Sequence, residues 1–473
     1  MFERFTSLAK TDPGAIALID GATGAVTTRG RLLARAETLA AELAAAGMRE
    51  GDAIALQLPN SVDFIAAFLA ALRLRLVIVQ IDRDASGTEV AKILGHFAVR
   101  GLLQSRQSAV GGRQEATTHA VPLLLPTADG RPPTALSIRE RAVPLAVPPD
   151  TRVIKLTSGS TGAPKGIVTT EANLIADCEN ICTTMGIRPD DLSLGAIPFS
   201  HSYGFSNLVT PLLLQGTPVV FSNDYLPQSI VEMANRFGCT VAPLIPMVFA
   251  HLITAAHGSF ESIRTFISAG APLPPSTSRR FRERFGIEIH SLYGCSECGG
   301  ITYDRAGGAV ERGTVGTALE GVDVIHDGGR LAVRSASVAA GYLHDAATFQ
   351  PFADATFTTD DLVEVREGEI VLAGRASDQI NTAGKKVNPR EVEAVILQID
   401  GVREAKVYGE PAGARGEVVA AAIVAMPGIT RELVREFCRA RLSLHKVPRI
   451  VKLIDEMPVD ERGKIKRAAL TAL

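Results

Sequence analysis

The sequence lacks an excess of charge. Lys and Arg number 49 against 51 Asp and Glu in 473 residues, a formal charge of −2. No bulk basic field exists to attract nucleic acid or anionic lipid, so any polyanion the protein binds must be small. Long hydrophobic runs are missing too. The most apolar stretch, Phe64 to Ile81, is interrupted by Arg73 and Arg75, and the first residues, MFERFTSLAK, carry no apolar core or cleavage pattern. No membrane span and no secretory leader are expected, and the expected location is the cytoplasm. Six cysteines are too few for a disulfide scaffold. Cys295-x-x-Cys298 has metal spacing but no second pair or nearby His to complete a zinc set, and Cys178 and Cys182, four apart, read as buried helix residues. No period of 20 to 50 residues recurs, which removes solenoids and propellers.

What is present is an alternation of helix and strand with 46% apolar residues, enough for one large domain or two to three ordinary ones. An amphipathic helix is expected over about Arg29 to Ala46, a strand over Ala53 to Leu58, a helix over Val62 to Leu72 capped by Asn60 or Ser61, and a strand over Leu76 to Gln80. Residues 105 to 150, rich in Gly, Pro, Thr and Ala, read as weakly structured surface chain. From Arg152 onward a strand, a loop over 157 to 166 and a helix over Glu171 to Met185 open a large α/β domain with parallel sheets, its strands near 193, 217, 240, 264 and 287 alternating with helices. Beyond Gly316 short strands with Gly turns form a β subdomain. The last hundred residues read as a small, mobile α+β domain. The expected division is 1–373 for the large domain, 374–378 for a hinge and 379–473 for the small domain.

The strongest local signal is Thr157-Ser158-Gly159-Ser160-Thr161-Gly162-Ala163-Pro164-Lys165-Gly166. Three glycines, hydroxyl side chains and one lysine make a loop whose N–H groups, hydroxyls and ammonium can surround phosphate oxygens. It is not a Walker loop, because Pro164-Lys165-Gly166 stands where Gly-Lys-Ser/Thr is needed. Five more segments follow in order: Ser268-Ala-Gly-Ala-Pro-Leu273, Tyr293-Gly-Cys-Ser-Glu297, Thr359-Asp-Asp-Leu362, Gly374-Arg-Ala-Ser-Asp378, and Pro458 to Arg467 with Gly463-Lys464-Ile465.

Together these six segments resemble the adenylate-forming superfamily of acyl-CoA synthetases, non-ribosomal peptide adenylation domains and luciferases, over about residue 25 to the C-terminus. The resemblance implies an AMP-forming acid–thiol ligase using ATP and Mg²⁺. Thr157, Ser158, Gly159, Ser160, Thr161, Gly162 and Lys165 would hold the ATP phosphates. Tyr293 would stack on adenine opposite Gly270, Ala271 and Pro272, and Asp361, with Arg375 assisting, would hold the ribose. Ser296 would contact the α-phosphate, Glu297 would bind the metal, and Lys464 would stabilise the charge that builds on the attacked phosphorus. His201 and Phe205, with Ala269, Gly294 and Gly299, would line the acid pocket. Ser377 and Asp378 would serve as the hinge, and Gly384 would line the tunnel for the thiol.

Three departures from the family pattern stand out. Asp360 occupies a place where Gly is usual, Ser296 replaces Thr, and the hinge carries Ser377 beside Asp378. The segment Pro198 to Phe205 holds no carboxylate to pair with an α-ammonium, which argues against amino acids and for an acyl or aryl acid. CoA is the expected thiol. A free-standing enzyme that loads an acyl carrier protein is the alternative, and a non-catalytic nucleotide-binding protein on the same fold is the alternative from another class.

Overall fold

A computed structural model describes residues 1–105, 119–122, 134–138, 144–158, 164–255, 257–378, 380–382, 385–411, 417–459 and 469–470. The chain divides into two compact units, Met1–Ile325 with Val333–Phe357, and His326–Ala332 with Thr358–Leu473.

Two large sheets form the frame of the first unit, each of nine strands among the described residues. One has a parallel centre, running in space through Ile289–Cys295, Thr265–Ser268, Val241–Leu244, Ser193–Gly195, Val219–Phe221 and Ile16–Asp20. The central strands Val241–Leu244, Ser193–Gly195 and Val219–Phe221 are short and buried along their whole length, as in parallel sheets covered on both faces. Ile230, Phe249, Phe266 and Phe281 form one of the resulting cores, with the Phe249 and Phe281 rings edge to face at 5.2 Å. The other sheet is parallel through Thr151–Ser158, Val77–Gln80, Ala53–Gln57 and Gly101–Ser105. Antiparallel strands Pro164–Thr170, Gly341–Asp345 and Thr348–Pro351 extend one edge.

The expected elements appear within one or two residues for the helices Arg29–Ala45, Val62–Arg73 and Glu171–Met185. Ser61, not Asn60, caps the second by accepting from Phe64 N at 3.1 Å. Asn60 instead ties segments together. Its amide nitrogen donates to Ile197 O at 2.9 Å, and its carbonyl accepts from Phe199 N at 2.7 Å.

Two expectations are corrected. Residues 105–150 are not merely loose surface chain, since His119–Pro122 and Thr134–Ile138 pair antiparallel and extend the second sheet beside Gly101–Ser105. Backbone pairing there outweighs the turn-rich composition. The segment 157–166, expected as a loop, is also in part strand. Thr151–Ser158 and Pro164–Thr170 form a β-hairpin with Thr157 opposite Lys165, and the helix begins at Glu171 as expected. The tip, 159–163, lies outside the described residues.

In the second unit, strands Thr356–Arg366 and Glu369–Arg375 pair antiparallel, with Asp361 opposite Arg375. A short hairpin, Ile380–Thr382 with Lys385–Val387, follows. Strands Val402–Pro411, Glu417–Ala425 and Ile450–Leu453 then make a sheet packed by helices Pro389–Ile396 and Arg431–Arg439 around Val392, Val407, Ile423 and Val434.

Candidate active site

Strands Ile289–Cys295 and Gly299–Tyr303 are joined by a three-residue loop that presents Ser296 and Glu297. The loop closes tightly, with Cys298 N donating to Cys295 O at 3.3 Å and Gly299 at φ +75°. Such loops need a residue in the left-handed region at that place, and glycine adopts it without steric cost. A side chain is also barred by space. A Cβ on Gly299 would run into the carboxylate of Asp177, and one on Gly294 into Gly299 O.

Beneath this hairpin, helix Glu171–Met185 places Asp177, only 4% exposed, so that it accepts from Gly300 N at 2.9 Å and from Ser206 Oγ at 2.5 Å. Ser206 lies in Phe205–Val209, a π-helical turn between Ser202–Gly204 and Thr210–Leu214. Single π-turns are local irregularities common at functional sites. Lys155, on the central strand Thr151–Ser158, is 5% exposed. Burial pushes its ammonium below the usual lysine range, opposed by the negative charge of Asp177 and then by Cys295, Glu297 and Cys298.

Above the hairpin, residues 337–342 hold the loop. Ser337 Oγ donates to Cys298 O at 2.8 Å, Ala339 N to Glu297 O at 2.8 Å, and the Tyr342 hydroxyl to Glu297 Oε1 at 2.9 Å. Burial, then the charge and hydrogen bond of Glu297, push the Tyr342 phenol far up. The ammonium of Lys165 sits over the Tyr342 ring, 3.5 Å from its centroid. Thus Lys165 and Glu297, 132 positions apart in the chain, meet on one tyrosine.

The expected acid-binding segment reaches the same loop, since the hydroxyls of Ser202 and Ser296 lie 3.0 Å apart. His201 faces Asp82 across 3.3 Å. A carboxylate does therefore approach this segment, from a distant strand end, and His201 engages it. Phe205 is fully buried against Phe68, 5.1 Å between ring centroids. Ala269 is buried, whereas Gly270, at φ +86°, Ala271 and Pro272 form an exposed turn, and Tyr293 is half-buried.

In the second unit Arg375 Nε donates to Asp361 Oδ1 at 3.0 Å, and Asp361 N to Thr359 Oγ1 at 3.1 Å. Burial works against the Arg375 charge, but Asp361, Asp378 and Asp360 outweigh it and raise its pKa. Asp360 points to Arg330 at 3.4 Å, so the extra carboxylate has its own cation. Gly374 packs against Asn388, whose amide donates to Ala373 O at 2.6 Å, and Arg390 Nη1 donates to Leu372 O at 3.1 Å. Asp378 lies in a short 3₁₀ turn with Ser377. Gly159, Ser160, Thr161, Gly162, Gly384 and Lys464 lie outside the described residues.

Sequence reasoning missed Asp177, Lys155, Ser202 and Tyr342. None sits in a glycine-rich or acidic string. The one signal for Lys155 was a cation inside the short apolar run Val153 to Leu156.

The donor set around Glu297 suits Mg²⁺. Among the described residues no three His, Cys, Asp or Glu side chains are grouped to cage an ion. One carboxylate beside hydroxyls is the protein share expected where substrate phosphates supply the remaining oxygens. Among the described residues no helix is long and apolar enough to cross a membrane.

Comparisons with known proteins bear on the family of the chain. The family model described as AMP-binding enzyme matches residues 5–343, and that of the AMP-binding enzyme C-terminal domain matches 391–464. A sulfoacetate–CoA ligase of Cupriavidus necator is 30% identical over 96% of this chain and 94% of its own. A feruloyl-CoA synthase of Amycolatopsis sp. is 28% identical over 97% and 95%. Among solved structures, o-succinylbenzoate CoA synthetase from Bacillus subtilis in complex with its acyl-adenylate intermediate superposes with TM-score 0.81 at 24% identity, covering 99% of this chain and 97% of that one. With both family models matched in order and a full-length relative at this identity, the chain belongs to the AMP-binding enzymes of the adenylate-forming superfamily.

Proposed function

We propose that this acid–CoA ligase activates a plain acyl or aryl carboxylate with Mg·ATP and passes it to the thiol of CoA. The observation that carries the reading is the Ser296–Glu297 loop, held between Ser202 of the acid segment and Tyr342 with Lys165. It draws onto one short turn the side chains to which the acid, the metal and the phosphates are assigned in this proposal.

In the first half-reaction a carboxylate oxygen of the acid attacks the α-phosphorus of ATP. The bond from that phosphorus to the bridging oxygen breaks, and pyrophosphate leaves. Ser296 lies beside Ser202, where its hydroxyl can donate to an α-phosphate oxygen. Bound Mg²⁺ would neutralise phosphate charge, with Glu297 as its protein ligand. Lys464 would add a point cation at the attacked phosphorus, an effect of roughly 2 to 4 kcal/mol for a donor of this type. Asp361, oriented by Arg375, would accept the ribose hydroxyls.

In the second half-reaction the CoA sulfur attacks the acyl carbonyl and loses its proton, and AMP departs with the electrons of the cleaved anhydride bond. A backbone rotation at Gly374 to Asp378, with 1–373 and 379–473 as the moving bodies, would withdraw Lys464 and bring Gly384 to the site. The names of the relatives support CoA as acceptor. They differ too widely in acid to name this one. The missing carboxylate in Pro198–Phe205, and the engagement of Asp82 by His201, support an acid without an α-ammonium.

Pyrophosphate release from Mg·ATP against fatty, aryl and amino acids, each with and without CoA, tests the reading. Release with an acyl or aryl acid, accelerated by CoA and yielding a thioester, is expected. Activation that CoA does not change would point to a carrier-protein thiol. No release with any acid would favour a non-catalytic nucleotide-binding protein.

A further inference from the structure

Glu297 carries the metal in the reading above, yet nothing in its own loop orients its side chain. The segment that does so lies on another strand. Gly341–Asp345 pairs antiparallel with Pro164–Thr170, setting Tyr342 opposite Ile167 and Leu343 opposite Gly166. Side chains two apart on a strand share a face, so Lys165 is the diagonal neighbour of Tyr342. The sheet register therefore delivers Lys165 to the face of the ring, and the loop delivers Glu297 to its hydroxyl. The ring itself is fixed. Phe352 meets it edge to face at 4.9 Å and 90°, and Phe357 at 6.2 Å and 80°. Ser337 and Ala339, just before it, pin the backbone of the same loop.

We propose that Tyr342 is a positioning residue for metal binding, acting on two opposite charges at once. Its hydroxyl holds one oxygen of Glu297 and leaves the other for Mg²⁺. Its ring seats the Lys165 ammonium apart from that carboxylate, so the two do not collapse into an ion pair before Mg·ATP arrives. A group that hydrogen-bonds a metal ligand from behind fixes the ligand's direction, and losing it typically costs about 10- to 100-fold in metal affinity. This inference rests on the assignment of Glu297 as metal ligand.

Calorimetric titration of the whole chain with ATP, once with excess Mg²⁺ and once with EDTA, tests it without turnover. Tyr342→Phe keeps the ring and removes the hydroxyl. It should weaken Mg·ATP binding about tenfold and leave ATP binding in EDTA unchanged. In a Glu297→Gln background the same change should have no further effect on the Mg²⁺ dependence. Tyr342→Leu removes the ring as well and should weaken ATP under both conditions, because Lys165 and Glu297 then pair. Equal losses for Tyr342→Phe with and without Mg²⁺, or full additivity with Glu297→Gln, would overturn the proposal in favour of a packing role. If Glu297→Gln shifts the Mg²⁺ dependence while Tyr342→Phe does not, only the role of Tyr342 falls. If Glu297→Gln shifts nothing, the metal assignment falls with it.

Discussion

Two carboxylates flank the same hairpin and are held in opposite ways. Asp177, below it, is buried and accepts from Ser206 and Gly300, with Lys155 as the nearby cation. Glu297, above it, is half-buried, with Tyr342 on one oxygen. A carboxylate removed from water must have its lone pairs met by the protein, and Asp177 is built that way. A carboxylate that is to receive a cation must keep an oxygen for it, and Glu297 is built that way. On the function proposed above, Asp177 would support the site and Glu297 would act in it, although both are tied to one hairpin.

The sharpest way to separate them is Glu297→Gln. Acid-dependent pyrophosphate release should fall about a hundredfold or more, the scale of losing one electrostatic group at a reacting centre, with the thermal midpoint little changed. A loss of stability comparable to the loss of rate would erase the distinction.

Asp177→Ala should do the reverse first. Gly300 N–H and Ser206 Oγ lose their acceptor, and Lys155 loses its strongest attraction, so urea unfolding should show about 3 kcal/mol of destabilisation. A melting curve that matches the parent would show that Asp177 is no support at all. Gly299→Ala attacks the same support from the other strand. A methyl group forced against Asp177 at a positive φ should cost about 2 kcal/mol, measurable as a lowered urea midpoint, while Gly286→Ala, also at positive φ but with open space around it, should cost less.

The smallest effect is electrostatic and lies in Lys155. Its folded-state pKa is lowered, so the unfolded chain binds the proton more tightly. The penalty for burying the charge is fully present below the folded pKa. It disappears as pH rises from that value towards the ordinary lysine pKa. Unfolding free energy should therefore climb with pH across this window more in the parent than in Lys155→Met, and parallel slopes would contradict it.

Much of the frame was legible in the sequence. The helices Arg29–Ala45, Val62–Arg73 and Glu171–Met185 announce themselves by apolar period and capping residues, and these are local properties of the chain. The strands at Thr265–Ser268 and Ile289–Cys295 read as short apolar runs between helices. The edge strand His119–Pro122 and its neighbour Thr134–Ile138 did not, because their stability comes from pairing with distant backbone and not from their own composition. In the site, Glu297, Ser296, Lys165 and Asp361 were named from ordered motifs. Tyr342 and Asp177 were not, since a lone tyrosine or a lone helical aspartate carries no spacing by which to recognise it.

What the sequence determined by itself is the chemical inventory: a hydroxyl- and glycine-rich segment, a Ser-Glu pair, an Asp, an Arg and a tail lysine, in an order that resembles one superfamily. These are short-range facts, set by which residues stand next to which. The tertiary structure alone decided the partnerships. Lys165 meets Tyr342 because two strands 170 residues apart pair in one register, and Asp177 meets Gly300 because a helix packs under a hairpin. Such contacts depend on side-chain direction and packing between segments far apart in the chain, and no local pattern encodes them.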